Sequence, residues 1–208
     1  MRAATADVRG SSSSASTGAT GAVSATGPVG TTGAASASGP TVTRVDSLTV
    51  RVTGSCWRAV DPVHLESALA GSRAAGRYSR AGTPALYLSS SPEGVAAAMI
   101  AHADARSARL VVVELDVDAS GIVDLRDPVA LEAAGVDPAD AAAPWQEAVA
   151  AGAEPPSWRV RDRLVELGAR GLIDPSRKRP GLWHLTLFDW NEPGAPRVEL
   201  VRGSGADG

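Results

Sequence analysis

The sequence predicts a single α+β domain with a mixed sheet and peripheral helices. Alternating apolar and polar residues mark several short strands, such as SLTVRVTG at residues 47–54. Helical patterns separate some of these strands, but not in the regular strand-helix-strand order of a doubly wound parallel sheet. The 208 residues are enough for one ordinary domain once an unusual N-terminus is set aside.

The N-terminal segment has a composition unlike that of a folded domain. Residues 11–39 contain no charged and no aromatic residue, and Val23 and Val29 are their only larger aliphatic side chains. Such a segment buries too little apolar surface to offset the entropy of ordering. We expect a disordered tail over 1–41, the folded domain over 42–203 and a flexible C-terminus over 204–208. A start site placed too far upstream in a GC-rich gene would give the same N-terminal composition.

The strand at 47–54 is expected to be followed by a second short extended piece, CWRAV at 56–60. Pro62 and apolar residues at helical spacing then predict a short helix over 62–75. The glycine- and proline-marked stretch GRYSRAGTP is expected to be a loop or turn.

ALYLSSS at 85–91 reads as the next strand, and a helix is expected to begin directly after it. Ser91, Pro92 and Glu93 combine a capping residue, a proline at the first helical position and an acid in the first turn. The helix that follows has no charged residue from Gly94 to Ala101.

A buried strand, RLVVVELDV, is expected next, with a turn at 118–121 and a short strand IVDL after it. DPVALEAAG predicts a helix, and a loop rich in Ala and Pro leads to Trp145.

The C-terminal part begins with a helix over 157–169, with Ser157 as its cap. Its apolar positions are Trp158, Val160, Leu164, Val165 and Leu167. Three strands are expected after it: GLID, the longer LWHLTLFDW, and PRVELV.

Composition excludes several classes of function. The formal charge of -3 gives no basic field for nucleic acid or for an acidic membrane surface. Cys56 is the single cysteine, so an internal disulfide cannot form. No apolar run approaches the roughly 20 residues that a membrane span requires. The N-terminus also lacks the basic-then-apolar pattern of a signal peptide. We expect a cytoplasmic protein, and a homo-oligomer is compatible with the sequence. The histidines, His64, His102 and His184, show no metal-ligand spacing, so no metal site is predicted.

Several polar residues stand where binding chemistry could use them. Arg58 lies in an apolar strand context, and Arg77 and Arg80 lie in a glycine-bounded loop where guanidinium groups suit phosphate or carboxylate. Tyr78 and Tyr87 are the only tyrosines, each beside a turn, and either could stack on a planar ring. Surface arginines and core or rim tyrosines would give the same patterns.

Asp174-Pro175-Ser176 places a hydroxyl group after a buried strand and before a short basic run, although turn formation explains this as well. No phosphate-binding glycine loop of the Walker or dinucleotide type and no Gly-x-Ser-x-Gly elbow occurs. These residues, without further context, identify no common enzyme class.

The order of these pieces resembles the RES domain, named for an Arg, a Glu and a Ser and known as the toxin half of bacterial toxin-antitoxin pairs. The matching segments are CWRAV, GRYSRAGTPALYLSSSPEGVA, GIVDLRDPVALEAAGVDPAD with Trp145, PPSWRVRDRLVELGARGLIDPS and LWHLTLFDW. The resemblance runs from about residue 50 to the C-terminus. No single motif is specific, and the signal lies in their order and spacing.

The resemblance implies a fold similar to ADP-ribosyltransferases, with NAD as substrate rather than as cofactor. The activity it implies is NAD cleavage by phosphorolysis or hydrolysis, or ADP-ribosyl transfer to a target. It also implies a helix-turn-helix antitoxin of the Xre type as the protein partner. By position, Arg58 and Arg77 look like the two pocket arginines, Tyr87 like the pocket tyrosine and Ser176 like the family serine. Tyr78, beside a turn, and His102, four residues after position 98 and so on the same helix face, are further candidate substrate contacts, although a histidine on a helix surface would give the same pattern.

The family glutamate falls on Ala98, eleven residues after Tyr87, so the expected carboxylate is missing. Glu93 could replace it in a different register, but five residues along a helix amount to about 140° of rotation. Alternatively the chain has lost or changed its chemistry naturally, or a Glu→Ala change was made deliberately. The active family chemistry competes with a non-catalytic module that binds NAD or a partner in the same pocket. A nucleic-acid-binding domain is a third reading, and the acidic charge balance disfavours it.

Overall fold

A computed structural model describes residues 39–99 and 110–201. Within these ranges the chain forms seven strands, five α-helices and one 3-10 helix at Pro62–Ser67. The strands are β1 (Thr41–Arg44), β2 (Thr49–Val60), β3 (Leu86–Ser89), β4 (Val111–Asp124), β5 (Gly171–Pro175), β6 (Trp183–Leu187) and β7 (Arg197–Leu200). The helices are α1 (Pro92–Met99), α2 (Pro128–Ala134), α3 (Pro138–Ala142), α4 (Trp145–Ala150) and α5 (Pro156–Glu166). The α+β class predicted from the sequence is confirmed.

The sheet closes on itself through its two longest strands. Its order is β1-β2-β3-β6-β5-β4-β7, and β2 also pairs with β4. The circuit β2-β3-β6-β5-β4 therefore returns to β2, and all its pairings are antiparallel except that between β4 and β5. β1 and β7 extend the sheet from β2 and β4 respectively. Closure of this kind leaves few unpaired strand edges.

Both long strands run through positions where the sequence predicted interruptions. The pieces at 47–54 and 56–60 form one continuous strand, β2, and the turn predicted at 118–121 lies inside β4. Val50 pairs with Ile122 and Val52 with Ala119, so β4 carries one extra residue there, and Gly121 has a φ of 74°. A β-bulge accommodates the extra residue without ending the strand, which is why the turn prediction was wrong.

The prediction of a helix over 62–75 is also wrong. The structure forms only the six-residue 3-10 helix. Asp61 caps its N-terminus, and the Asp61 side chain accepts from the Val63 amide at 3.0 Å. Val63 and Leu65 are exposed, so this segment has no buried apolar face that would stabilise a longer helix. The chain then continues through turns and isolated bridges, and Ser72 pairs with Ala85. The strand β1 was not predicted.

The helix starts at Ser91 and Asp127 agree with prediction. The Ser91 hydroxyl accepts from the Gly94 amide at 3.1 Å, and Asp127 caps α2, which ends at Gly135 in the left-handed conformation. The segment predicted as an Ala- and Pro-rich loop before Trp145 instead contains α3, capped by Asp137. Proline after a capping aspartate is a helix-start signal that the loop prediction overlooked.

Helix α5 begins one residue earlier than predicted, and Ser157 is not its cap. Pro155 occupies the cap position, while Ser157 lies inside the helix, fully buried. The final strands β5 and β7 form as predicted, whereas β6 is shorter than the predicted LWHLTLFDW segment.

Two buried clusters form the core. One contains side chains of the six strands β2 to β7, and the other joins β4 and β5 to α2, α3 and α5. Within residues 39–99 and 110–201, no helix is long and apolar enough to cross a membrane.

Candidate functional site

A cavity of about 560 Å³ opens where β2, β3, β6 and α1 meet the loops after residue 71 and after β5. Six of the seven residues predicted for the site line it: Arg58, Arg77, Tyr78, Tyr87, Ala98 and Ser176. The seventh, His102, lies outside the described residues. The structure thus brings together side chains that are widely separated in the sequence.

Arg58 and Arg77 direct positive charge to this cavity without a carboxylate partner among the described residues. Nη1 of Arg58 donates to the Ala68 carbonyl at 2.7 Å, and Nη1 of Arg77 donates to the carbonyls of Ala141 and Ala143 at 3.2 and 3.0 Å. Burial lowers the pKa of both guanidinium groups, as expected when charge leaves water without an ionic partner. Each retains donors for an incoming anion.

A third arginine adds to this charge. Nη2 of Arg177 donates to the same Ala141 carbonyl at 3.2 Å, so it lies close to Arg77, and its charge further lowers the Arg77 pKa. Lys178 also lines the cavity. Sequence reasoning noted this basic run but did not place it in the site. An anion that binds between these like charges reduces the electrostatic repulsion between them.

Helix α5 fixes the backbone that carries Arg77. The Ser157 hydroxyl donates to the Arg77 carbonyl at 2.5 Å, and the Trp158 indole donates to the Gly76 carbonyl at 2.9 Å. Arg161 donates to the Tyr78 carbonyl at 3.0 Å. Three successive carbonyls of the loop are therefore held by side chains of one helix.

Arg80, in the same loop, points elsewhere. It forms a bidentate pair with Asp162 at 2.9 and 2.8 Å, contacts Glu154 at 3.0 Å, and lies over the Trp158 ring. It does not line the cavity. The two loop arginines that the sequence presents as equivalent thus have different surroundings.

The two tyrosines occupy adjacent but different positions. The Tyr87 hydroxyl accepts from the Tyr78 amide at 3.1 Å and shares a hydrogen bond with Ser79 at 2.9 Å. A Cβ at Gly76 would lie 2.5 Å from that hydroxyl, so the loop can approach Tyr87 only because residue 76 is glycine. Tyr78 is almost fully buried in the core, and its hydroxyl has no hydrogen-bond partner among the described residues.

Asp174 was missed as a site residue. It lies at the end of β5, is buried, and lines the cavity. Burial raises its pKa to about 7, although the charges of Arg77 and Arg177 oppose that rise. The signal in the sequence is the acidic residue that ends the apolar strand GLID, but turn formation explains an aspartate before proline equally well.

Ser176 and His184 complete this side of the cavity. Ser176 is buried, and its hydroxyl accepts from the Arg179 amide at 3.3 Å, so it also stabilises the turn. Nδ1 of His184 lies 3.0 Å from the Ser89 hydroxyl, and burial followed by the charges of Arg177 and Arg77 lowers the His184 pKa. A neutral imidazole at pH 7 is the consequence.

Trp145 and Glu147 reach the cavity from α4, an element that sequence reasoning treated as the end of a loop. Ala98 is half-buried on α1 and presents a methyl group to the cavity. Glu93 is exposed and does not line it, so Glu93 does not replace the missing carboxylate.

Cys56 is buried, which raises its pKa to about 12 and makes it a poor nucleophile.

No curated protein matches the chain. Among solved structures, a chain of the crystal structure of the M. tuberculosis MbcT-MbcA toxin-antitoxin complex matches with 19% identity and a TM-score of 0.47, covering 75% of this chain and 85% of that one. The model of the RES domain matches residues 55–206, which include the described residues that line the cavity. The chain therefore belongs to the RES domain family.

Proposed function

We propose that this protein is the toxin of a toxin-antitoxin pair that binds NAD in the cavity and cleaves the bond between nicotinamide and ribose. The ADP-ribose passes to phosphate, water or a protein. The observation that carries the proposal is the group of three arginines, Arg58, Arg77 and Arg177, whose described partners are carbonyl oxygens rather than carboxylates. Guanidinium groups of this kind suit the pyrophosphate of a dinucleotide.

The remaining lining supports a ligand with flat rings and hydroxyl groups. Tyr87 and Trp145 offer aromatic surfaces for stacking, and Ser176 offers a hydroxyl near the arginines. The volume of about 560 Å³ falls within the range of about 300–1,000 Å³ that small-molecule sites occupy. Membership of the RES domain family supports NAD as the dinucleotide.

A binding experiment tests the pocket. Titration calorimetry with NAD should give binding to the wild type and a loss of about ten- to a hundredfold in affinity for Arg77→Ala, because a charge-assisted hydrogen bond contributes about 1.5–3 kcal/mol. Arg80→Ala is the matched control, since Arg80 lies in the same loop but outside the cavity. Equal loss in both variants, or no NAD binding to the wild type, would refute the assignment of the pocket.

A non-catalytic module that holds NAD or a partner is the second candidate, favoured by the methyl group of Ala98 at the family glutamate position. Measurement of nicotinamide release, with and without phosphate, separates the two. Ala98→Glu should raise the rate, since a positioned carboxylate commonly contributes on the order of 10² to 10⁴ in rate. Binding of NAD without turnover in either the wild type or Ala98→Glu would favour the binding module.

The family also supports an Xre-type helix-turn-helix antitoxin as partner and the cytoplasm as the place of action. A small helix-turn-helix reading frame beside this gene is the expected source of that antitoxin. Co-expression of the two should relieve growth arrest caused by the toxin and yield a complex that does not release nicotinamide. Growth arrest that persists in the presence of the partner would contradict this part of the proposal.

A further inference from the structure

Asp174 is a buried acid whose position the turn prediction does not explain. It is paired in register with His184 across β5 and β6, and its carboxyl group accepts a hydrogen bond from its own backbone amide but none from another described side chain. Two guanidinium groups, those of Arg77 and Arg177, act on it electrostatically. A buried carboxylate that no other described side chain hydrogen-bonds costs the fold stability, so its presence here calls for a functional reason.

We infer that Asp174 is a catalytic residue whose carboxylate stabilises the positive charge that develops on the ribose as nicotinamide leaves. This inference rests on the proposed NAD-cleaving function. The bond between the ribose C1′ and the nicotinamide nitrogen breaks, and its electron pair stays with the nitrogen, which leaves neutral. The sugar becomes an oxocarbenium ion, which an oxygen of phosphate or water then attacks. With water as the acceptor, the released proton passes to solvent.

The position of Asp174 suits this task better than that of the other acids near the cavity. Glu147 lies at the exposed start of α4, and Glu93 lies off the cavity. A charge is felt most strongly where water is excluded, so a buried carboxylate stabilises a developing cation more than an exposed one. Ala98, the residue of α1 at the family glutamate position, lines the cavity with a methyl group and supplies no negative charge.

The role requires the ionised form of Asp174, and the surrounding groups determine the pH range in which the carboxyl group is ionised. Burial raises its pKa to about 7, while Arg77 and Arg177 lower it. The described titratable and charged groups that face or share the cavity with it are Arg58, Arg77, Tyr78, Tyr87, Glu147, Arg177, Lys178 and His184. The tyrosines and His184 are neutral at pH 7 because burial disfavours their charged forms. The cleavage rate should therefore rise with pH through the neutral range.

The test measures NAD affinity and single-turnover nicotinamide release in the full-length wild type, Asp174→Asn and Ala98→Glu/Asp174→Asn. Asp174→Asn should lose on the order of 10² to 10⁴ in rate with little change in NAD affinity, and the added glutamate should restore part of the rate. The control is Asp116→Asn, which removes an exposed carboxylate outside the cavity and should cleave at the wild-type rate.

An Asp174→Asn variant that cleaves NAD as fast as the wild type overturns the inference but leaves the proposed function standing. A wild type that binds NAD without cleaving it overturns the catalytic role, and a wild type that does not bind NAD overturns the proposed function itself. Should Asp174→Asn fail to fold, the pH profile of the wild type decides. A rate that rises through the neutral range supports the inference, and a flat profile from pH 5.5 to 8.5 overturns it.

Discussion

The burial of Asp174 predicts a pH-dependent stability that the asparagine substitution removes. In the folded chain its pKa is about 7, against an ordinary value of 3.8. The stability associated with the protonated carboxyl group is fully present below the unfolded pKa and is lost as pH rises through the folded pKa. Above neutral pH the wild type therefore keeps a buried charge that Asp174→Asn does not have.

The magnitude follows from the two pKa values. Each pKa unit corresponds to about 1.4 kcal/mol, so the full effect of this group is on the order of 4 kcal/mol. Roughly half of it, on the order of 2–3 kcal/mol, is expected between pH 5 and pH 8. For a domain of this size, about 1 kcal/mol shifts the melting temperature by roughly 2–4 °C. The melting temperature of Asp174→Asn relative to the wild type should thus rise by about 5–10 °C over this pH interval.

Thermal unfolding followed by circular dichroism at several pH values measures this difference. The buffers should contain no phosphate, because an anion bound by the cavity arginines would stabilise the folded state independently. The variant minus wild-type difference cancels groups that titrate alike in both proteins, and Asp116→Asn supplies the exposed-carboxylate control. A difference between Asp174→Asn and the wild type that stays constant from pH 5 to pH 8 would show that Asp174 does not titrate in this range and would refute the reasoning.

Three further substitutions test how the site is held. Gly76→Ala should displace the Tyr87 ring, lower stability by about 1–3 kcal/mol in chemical denaturation and weaken NAD binding in calorimetry, because the new methyl group meets the Tyr87 hydroxyl at 2.5 Å. Ser157→Ala should lower the unfolding free energy by about 1–2 kcal/mol, since it leaves the Arg77 carbonyl without this donor; an unchanged denaturation midpoint would contradict it. Arg80→Ala should change the unfolding free energy by about 1 kcal/mol or less, because its ion pairs are partly exposed, and a larger loss in the same denaturation experiment would count against a surface role.

The elements that the sequence predicted well are those with local signals. The start of α1 at Ser91 and both ends of α2, at Asp127 and Gly135, depend on residues within a few positions of each other. Predictions failed where the deciding partner lies far along the chain. The turn expected at 118–121 became part of β4 because that strand pairs with β2, some seventy positions earlier. The segment at 62–75 found no surface to pack on and formed only a 3-10 helix.

The sequence by itself determined the α+β class, the family resemblance and most of the candidate site residues, because these follow from local patterns and their order. Only the tertiary structure decided what each side chain faces. Arg77 and Arg80 are identical in type and three positions apart, yet one lines the cavity and the other pairs with Asp162 on α5. Asp174 became a site residue only when β5 placed its carboxyl group, buried, among the cavity arginines. The charges and the solvent around a long side chain depend on segments that are distant in the sequence. A local sequence pattern therefore cannot predict that environment.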